Sequence, residues 1–148
     1  MVSKGVGFGL TLLVISIGFT PAFALTELER VTITDQRLTT GFGDTVGNNI
    51  NVNQQVQISA EITNNQKTSQ EFVYLVQVKD KTGFVISISW ITGQLNENQK
   101  FNTSLNWTPV NEGEYSAEIY VWNSLMQKID NSEFSALSDY VVIDINVS

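Results

Sequence analysis

From Leu28 onward, apolar residues fall on every second position, the period of a strand with one buried face. The cleanest instance is Val56, Ile58, Ala60 and Ile62, which alternate with Gln57, Ser59, Glu61 and Thr63. Val31 and Ile33 place an earlier strand within 28–35, and 71–79 and 84–91 read as a hairpin around a turn at 80–83. Phe101, Thr103, Leu105 and Trp107 share one face of a further strand, which Pro109 ends because proline cannot donate to a ladder. Tyr115, Ala117, Ile119 and Val121 form the inner face of the next, and Val141, Ile143, Ile145 and Val147 close the chain. No amphipathic helical period competes with this pattern. About seven strands joined by polar turns predict an all-β, immunoglobulin-like β-sandwich. Two connections are long, 38–55 and 123–139, and loops of that length often carry function.

The N-terminal 24 residues follow a different rule. Lys4 precedes an apolar run over 5–19, and Thr20-Pro21-Ala22-Phe23-Ala24 supplies a helix breaker and small residues at an A-x-A site. This is the layout of a secretory signal, with cleavage expected between Ala24 and Leu25. The expected organisation is a signal peptide at 1–24, a strand and a Gly/Asn-rich connection at 25–50, and the body of the sandwich at 51–148. Retention of 5–25 would instead make a segment long enough to cross a bilayer. The Lys4-Gly5 step also resembles the processing site of archaeal pilin-like proteins, which keep the apolar helix in a filament.

Composition narrows the chemistry. The chain has no cysteine and no histidine, which removes disulfides, thiol nucleophiles, imidazole acid–base work and the usual ligands of zinc, copper and haem. No cofactor, no metal site and no catalytic residue is expected. With 8 Lys+Arg against 15 Asp+Glu the net charge is −7, and the basic residues are scattered singly. Nucleic acid is therefore not an expected partner, and a membrane is one only if 5–25 stays attached.

The stretch Trp107-Thr108-Pro109 through Glu112-Gly113-Glu114-Tyr115-Ser116-Ala117 resembles the E-to-F corner of immunoglobulin-like domains. There a glycine permits a tight turn, and a tyrosine two residues on bonds back to the loop. Ala117 stands where antibody domains carry a cysteine, so the resemblance implies the corner without the disulfide. Over roughly 52–148 the chain resembles Ig-like modules related to CARDB-type adhesion domains of archaeal secreted and surface proteins. Ser89-Trp90-Ile91, Trp107-Thr108-Pro109 and Tyr120-Val121-Trp122 are similar to secreted proteins of ammonia-oxidising archaea. The resemblance implies extracellular or cell-surface binding or scaffolding without catalysis.

Candidate sites follow from parity and composition. With Phe72, Tyr74, Val76 and Val78 inside, Val73 and Leu75 point outward; with Tyr115 to Val121 inside, so do Tyr120 and Trp122. These four would form one exposed apolar and aromatic interface patch. Asn102, Asn106 and Asn146 head N-x-S/T sequons open to glycosylation in an exported chain. Asp35, Asp44, Asp80, Glu112 and Asp139 offer hard oxygens for Ca²⁺ if they converge, although no D-x-D-x-D-G spacing exists. Glu112 with Glu114, and Asp130 with Glu133, are candidate carboxylate pairs for acid–base work, both in turns or loops. The expected function is a non-catalytic module that binds protein or cell-surface glycan through a sheet face and long loops. The alternatives are a self-associating filament subunit that donates 25–38 as a strand, and a membrane-anchored part of an envelope machine. The mature protein should have the mass of a chain beginning at Leu25; a mass that retains Val6 to Phe23 rules cleavage out.

Overall fold

The computed structural model describes residues 25–125 and 134–148. Among the described residues a 3-10 turn at Glu27–Glu29 leads into nine strands: β1 (Val31–Thr39), β2 (Thr45–Val46), β3 (Asn49–Ile50), β4 (Val56–Asn64), β5 (Gln70–Asp80), β6 (Val85–Leu95), β7 (Lys100–Trp107), β8 (Gly113–Trp122) and β9 (Val141–Val147). They form two sheets, a four-stranded one in the order β2-β1-β4-β7 and a five-stranded one in the order β3-β9-β8-β5-β6. The expected all-β sandwich is the observed fold. The seven long strands are those the periodicity marks, and the two extra strands are two-residue pieces inside the 38–55 connection. β3 pairs parallel to β9, Asn49 opposite Asn146 and Ile50 opposite Val147. A parallel pair this short has no periodicity of its own, which is why the pattern reads it as loop.

Two boundaries differ from the sequence reading. β1 runs on to Thr39 because an irregularity between Thr34 and Arg37, with Asp35 at φ 55°, shifts the register and returns Leu38 to the buried face. β6 continues past Ile91 to Leu95, where Leu95 pairs with Gln70 and is buried. The polar residues Thr92 and Gln94 belong to this strand rather than to a loop. Gly93 is required within it, since a Cβ there would stand 2.8 Å from the Phe72 ring.

The core lies where inner faces meet. Val56, Ile58, Ala60 and Ile62 of β4 face Phe72, Tyr74, Val76 and Val78 of β5, with Ala117, Ile119 and Val121 of β8 and Ile143, Ile145 and Val147 of β9 completing the layer. Tyr74 is fully buried, and its hydroxyl donates to the Ile58 carbonyl at 3.2 Å, which joins the two sheets. Burial pushes this phenol far above its ordinary pKa, so it stays a neutral donor. β1 is paired along most of its length to β4, from Val31 opposite Asn64 to Thr39 opposite Gln57. Residues 31–39 are thus paired within their own sheet in the single chain.

The corner after β7 has the geometry its residues suggest. Gly113 sits at φ 148°, a conformation that side chains disfavour, and Tyr115 donates from its hydroxyl to the Asn111 carbonyl at 2.9 Å. The Tyr115 ring is half-buried and meets Trp107 edge-on, centroids 5.4 Å apart and planes at 66°. Tyr115→Phe keeps this packing and loses only the hydrogen bond. It should cost about 0.5–1.5 kcal/mol in denaturant unfolding without changing the m-value.

Candidate functional site

The outer face of the five-stranded sheet carries the distinctive chemistry. Pairing places Trp90, Leu75 and Tyr120 side by side across β6, β5 and β8, and Thr92, Val73 and Trp122 in the adjacent row. Side chains in register lie on one face, so strand pairing alone sets Val73 and Leu75 between Trp90 on one side and Tyr120 and Trp122 on the other. Val73 and Leu75 are nevertheless only 2% and 8% exposed. This corrects the expected patch: those two residues are its covered floor, and Tyr120 and Trp122 are half-buried beside them.

The cover comes from neighbouring aromatics and from residues 134–140, which return to the sheet before β9. Tyr120 and Trp122 meet at 5.9 Å, Tyr140 stacks on Tyr120 at 5.2 Å, and Phe134 meets Trp122 edge-on at 5.2 Å. The connection is held against the sheet by a Trp122–Ala136 bridge and by Leu137 N–H bonded to the Val121 carbonyl at 2.8 Å. Leu137 buries completely and anchors it. What solvent meets is the border: Trp90 at 53%, Tyr140 at 54% and Phe134 at 51% exposure. Beside Trp90 lies a depression of about 580 Å³ whose walls include Glu71, Val73, Thr92, Gln94 and Asn123.

Below the aromatics, Glu118 is the electrostatic hub. One carboxylate oxygen accepts from Lys79 Nζ at 2.9 Å, and the other accepts from Gln77 Nε2 at 3.0 Å and Tyr120 Oη at 2.7 Å. Burial works to raise this carboxyl, but the hydrogen bonds from Lys79 and Tyr120, the Lys79 charge and the Gln77 amide outweigh it and hold it below the ordinary value. The Tyr120 phenol is pushed up by burial and by its bond to the charged Glu118. Tyr120 is thereby fixed as a donor, with its ring orientation set for Tyr140 to stack upon.

The remaining sequence candidates are dispersed. Asn102 and Asn106 are exposed on β7, on the face opposite buried Thr103 and Trp107. Asn146 is exposed on β9, where its amide donates to Asn49 Oδ1 at 3.1 Å. Asp35 pairs with Arg37 across the β1 irregularity. Asp80 accepts from Thr82 Oγ1 and from the Thr82 and Phe84 amides, and these bonds, led by the Thr82 hydroxyl, lower its pKa. Among the described residues no three acidic groups converge on a common point, so Asp35, Asp44, Asp80, Glu112 and Asp139 do not assemble the Ca²⁺ pole considered above. Glu112 is exposed on the corner turn and Glu114 is exposed at the start of β8. Asp130 and Glu133, and the cleavage residues Ala22 and Ala24, lie outside the described residues, whereas Leu25 is the first described and is exposed.

Trp90, Phe134 and Tyr140 were absent from the sequence-level patch. The signal for Trp90 was present in Ser87-Ile88-Ser89-Trp90, where the alternation is inverted and the large apolar residues point away from the core. Phe134 and Tyr140 lie outside strands in a connection with no period, so only the fold brings them in.

No family model and no curated protein match the sequence. Among solved structures, the C-terminal domain of wzt is similar with a TM-score of 0.64 at 13% identity, covering 80% of this chain and 74% of that one. The CARDB domain of PF1109 from Pyrococcus furiosus, solved in complex with di-metal ions, is similar with a TM-score of 0.51 at 15% identity, covering 84% and 97%. A β-glucosidase from Listeria innocua is similar with a TM-score of 0.55 at 10% identity over 80% of this chain, which spans only 16% of that enzyme. These likenesses show the fold class alone: an Ig-like β-sandwich, similar in structure to a CARDB domain.

Lys79→Met should raise the Glu118 pKa toward the ordinary carboxylate value, read by carboxyl NMR. A lowered native pKa stabilises above the unfolded value, and this contribution disappears as pH falls through the native one. The stability gap between the parent and Lys79→Met should therefore be full near neutral pH and close below about pH 4.

Proposed function

We propose that the protein is a non-catalytic binding or structural module of the cell exterior, and that it contacts its partner through the outer face of the five-stranded sheet. The observation that supports this is the aromatic border of Trp90, Phe134 and Tyr140, each about half exposed around a covered floor. A monomeric surface seldom keeps so many large rings in the open unless they meet a partner. Flat rings beside polar groups in the neighbouring depression suit a cell-surface glycan, whose sugar faces are apolar and whose edges are hydroxyls, and equally suit an apolar protein side chain. Export rests on residues 1–24, and the same segment, if kept, would hold the module at a membrane. Outside the cell, Asn102 and Asn106 are presented for glycosylation on the other sheet, away from the aromatic face. The absence of cysteine and histidine from the chain, together with the exposure of Glu112 and Glu114, favours a role without catalysis.

Trp90→Ala combined with Tyr140→Ala should abolish retention of the domain by isolated cell envelopes or by their purified glycan, while changing folding stability by only about 1 kcal/mol, because both rings are half in water. Undiminished retention by the doubly substituted domain would remove this face from consideration.

A further inference from the structure

The four sheet edges of this molecule are not protected alike. β2 and β3 cover only two residues each of β1 and β9; beyond them the open stretch of β1 carries a register shift with Asp35 and Arg37, that of β9 carries Asp144, and β7 opens with Lys100 and presents polar asparagines at Asn102 and Asn106. β6 is different: it is eleven residues long, it ends its sheet, and among the described residues no strand pairs with its outer side. Residues 84–95 contain no Asp, Glu, Lys, Arg or Pro. Natural edges are normally blunted by brevity, charge or proline, because an open row of N–H and C=O groups recruits another strand. Exposed Ile88 and Trp90 on this strand add to the attraction.

We infer that the open edge of β6 pairs antiparallel with β6 of a second copy about a two-fold axis at Trp90, so that one continuous sheet runs through both molecules. The strand is self-complementary in that register. Trp90 meets its own counterpart on the outer face, a cross-strand aromatic pair of the kind that stabilises sheets. Ile88 lies opposite Thr92 of the other copy, and on the inner face Ser89 lies opposite Ile91 and Ser87 opposite Gly93. The charges outside the strip agree with this choice. Lys81, exposed in the turn before β6, comes to the end of the strip where the other copy presents exposed Glu97, and the two-fold repeats the pairing at the opposite end. On a chain of net charge −7, copies repel in most orientations, and this edge offers a neutral strip flanked by opposite charges. Dimerisation would extend the row Tyr120–Leu75–Trp90 into its mirror, doubling the aromatic face without a new residue.

The core uses only residues between Val31 and Val147, so the chain from Leu25 onward is suitable for the test. Light scattering over a dilution series should give a dimer mass that falls to the monomer on dilution. Ile88→Lys and, separately, Thr92→Lys should each lose the dimer, with an unchanged circular dichroism spectrum. The double variant Ile88→Lys with Thr92→Glu places opposite charges across the two-fold and should recover it. A parent that is monomeric at every concentration overturns the inference and leaves the edge to a strand from another protein. A dimer that survives both lysines, or a charge-swapped variant that stays monomeric, overturns the edge or its register respectively.

Discussion

The fold depends on a strand that is covered on both of its faces. From Phe72 to Val76 every residue of β5 is buried, the odd members toward the aromatic side and the even members toward the opposing sheet. In antiparallel sandwiches one face of a strand ordinarily meets water, so the second cover has to be supplied by something beyond the two sheets. Here it comes from the rings of β8 and from the connection that Leu137 pins down. The module has no disulfide to hold its sheets together. Burial on both sides of this central strand, with Tyr74 bonded across to Ile58, performs that role by packing.

Much of this was legible in the alternation of residues. β4, β7, β8 and β9 keep a strict period of two, and their inner faces are the ones that pack. The reading failed at β5 because it treated alternation as if one face must be exposed. Five consecutive apolar residues, Phe-Val-Tyr-Leu-Val, are the mark of a strand covered twice, and the sequence carried that mark. Trp90 was legible from the inverted pattern of β6. Phe134, Tyr140 and the parallel β3–β9 pair were not, because each depends on where a connection without a period returns to the sheet.

The aromatic face and its electrostatic support are parts of one arrangement. Tyr140 stacks on a ring whose hydroxyl is fixed by Glu118, and Glu118 is held charged by Lys79 two strand positions below. The surface ring therefore inherits its orientation from a mostly shielded ion pair. Surface pairs contribute little on their own, but this one is shielded and shares a network of four side chains, which is where charge pairs gain definition.

The Asp80 turn has a consequence for the order of assembly. Its carboxylate gathers Thr82 and the Phe84 amide into a tight loop, so β5 and β6 are joined by the shortest connection between long partners in the molecule. Closing that loop costs the least chain entropy, whereas β1 with β4, β4 with β7 and β5 with β8 must each wait for distant segments to meet. As the chain is made, the hairpin is complete before β8 exists. The doubly covered strand thus spends its early life with one finished neighbour and two bare faces, and the solubility of the nascent molecule rests on how soon the later half arrives.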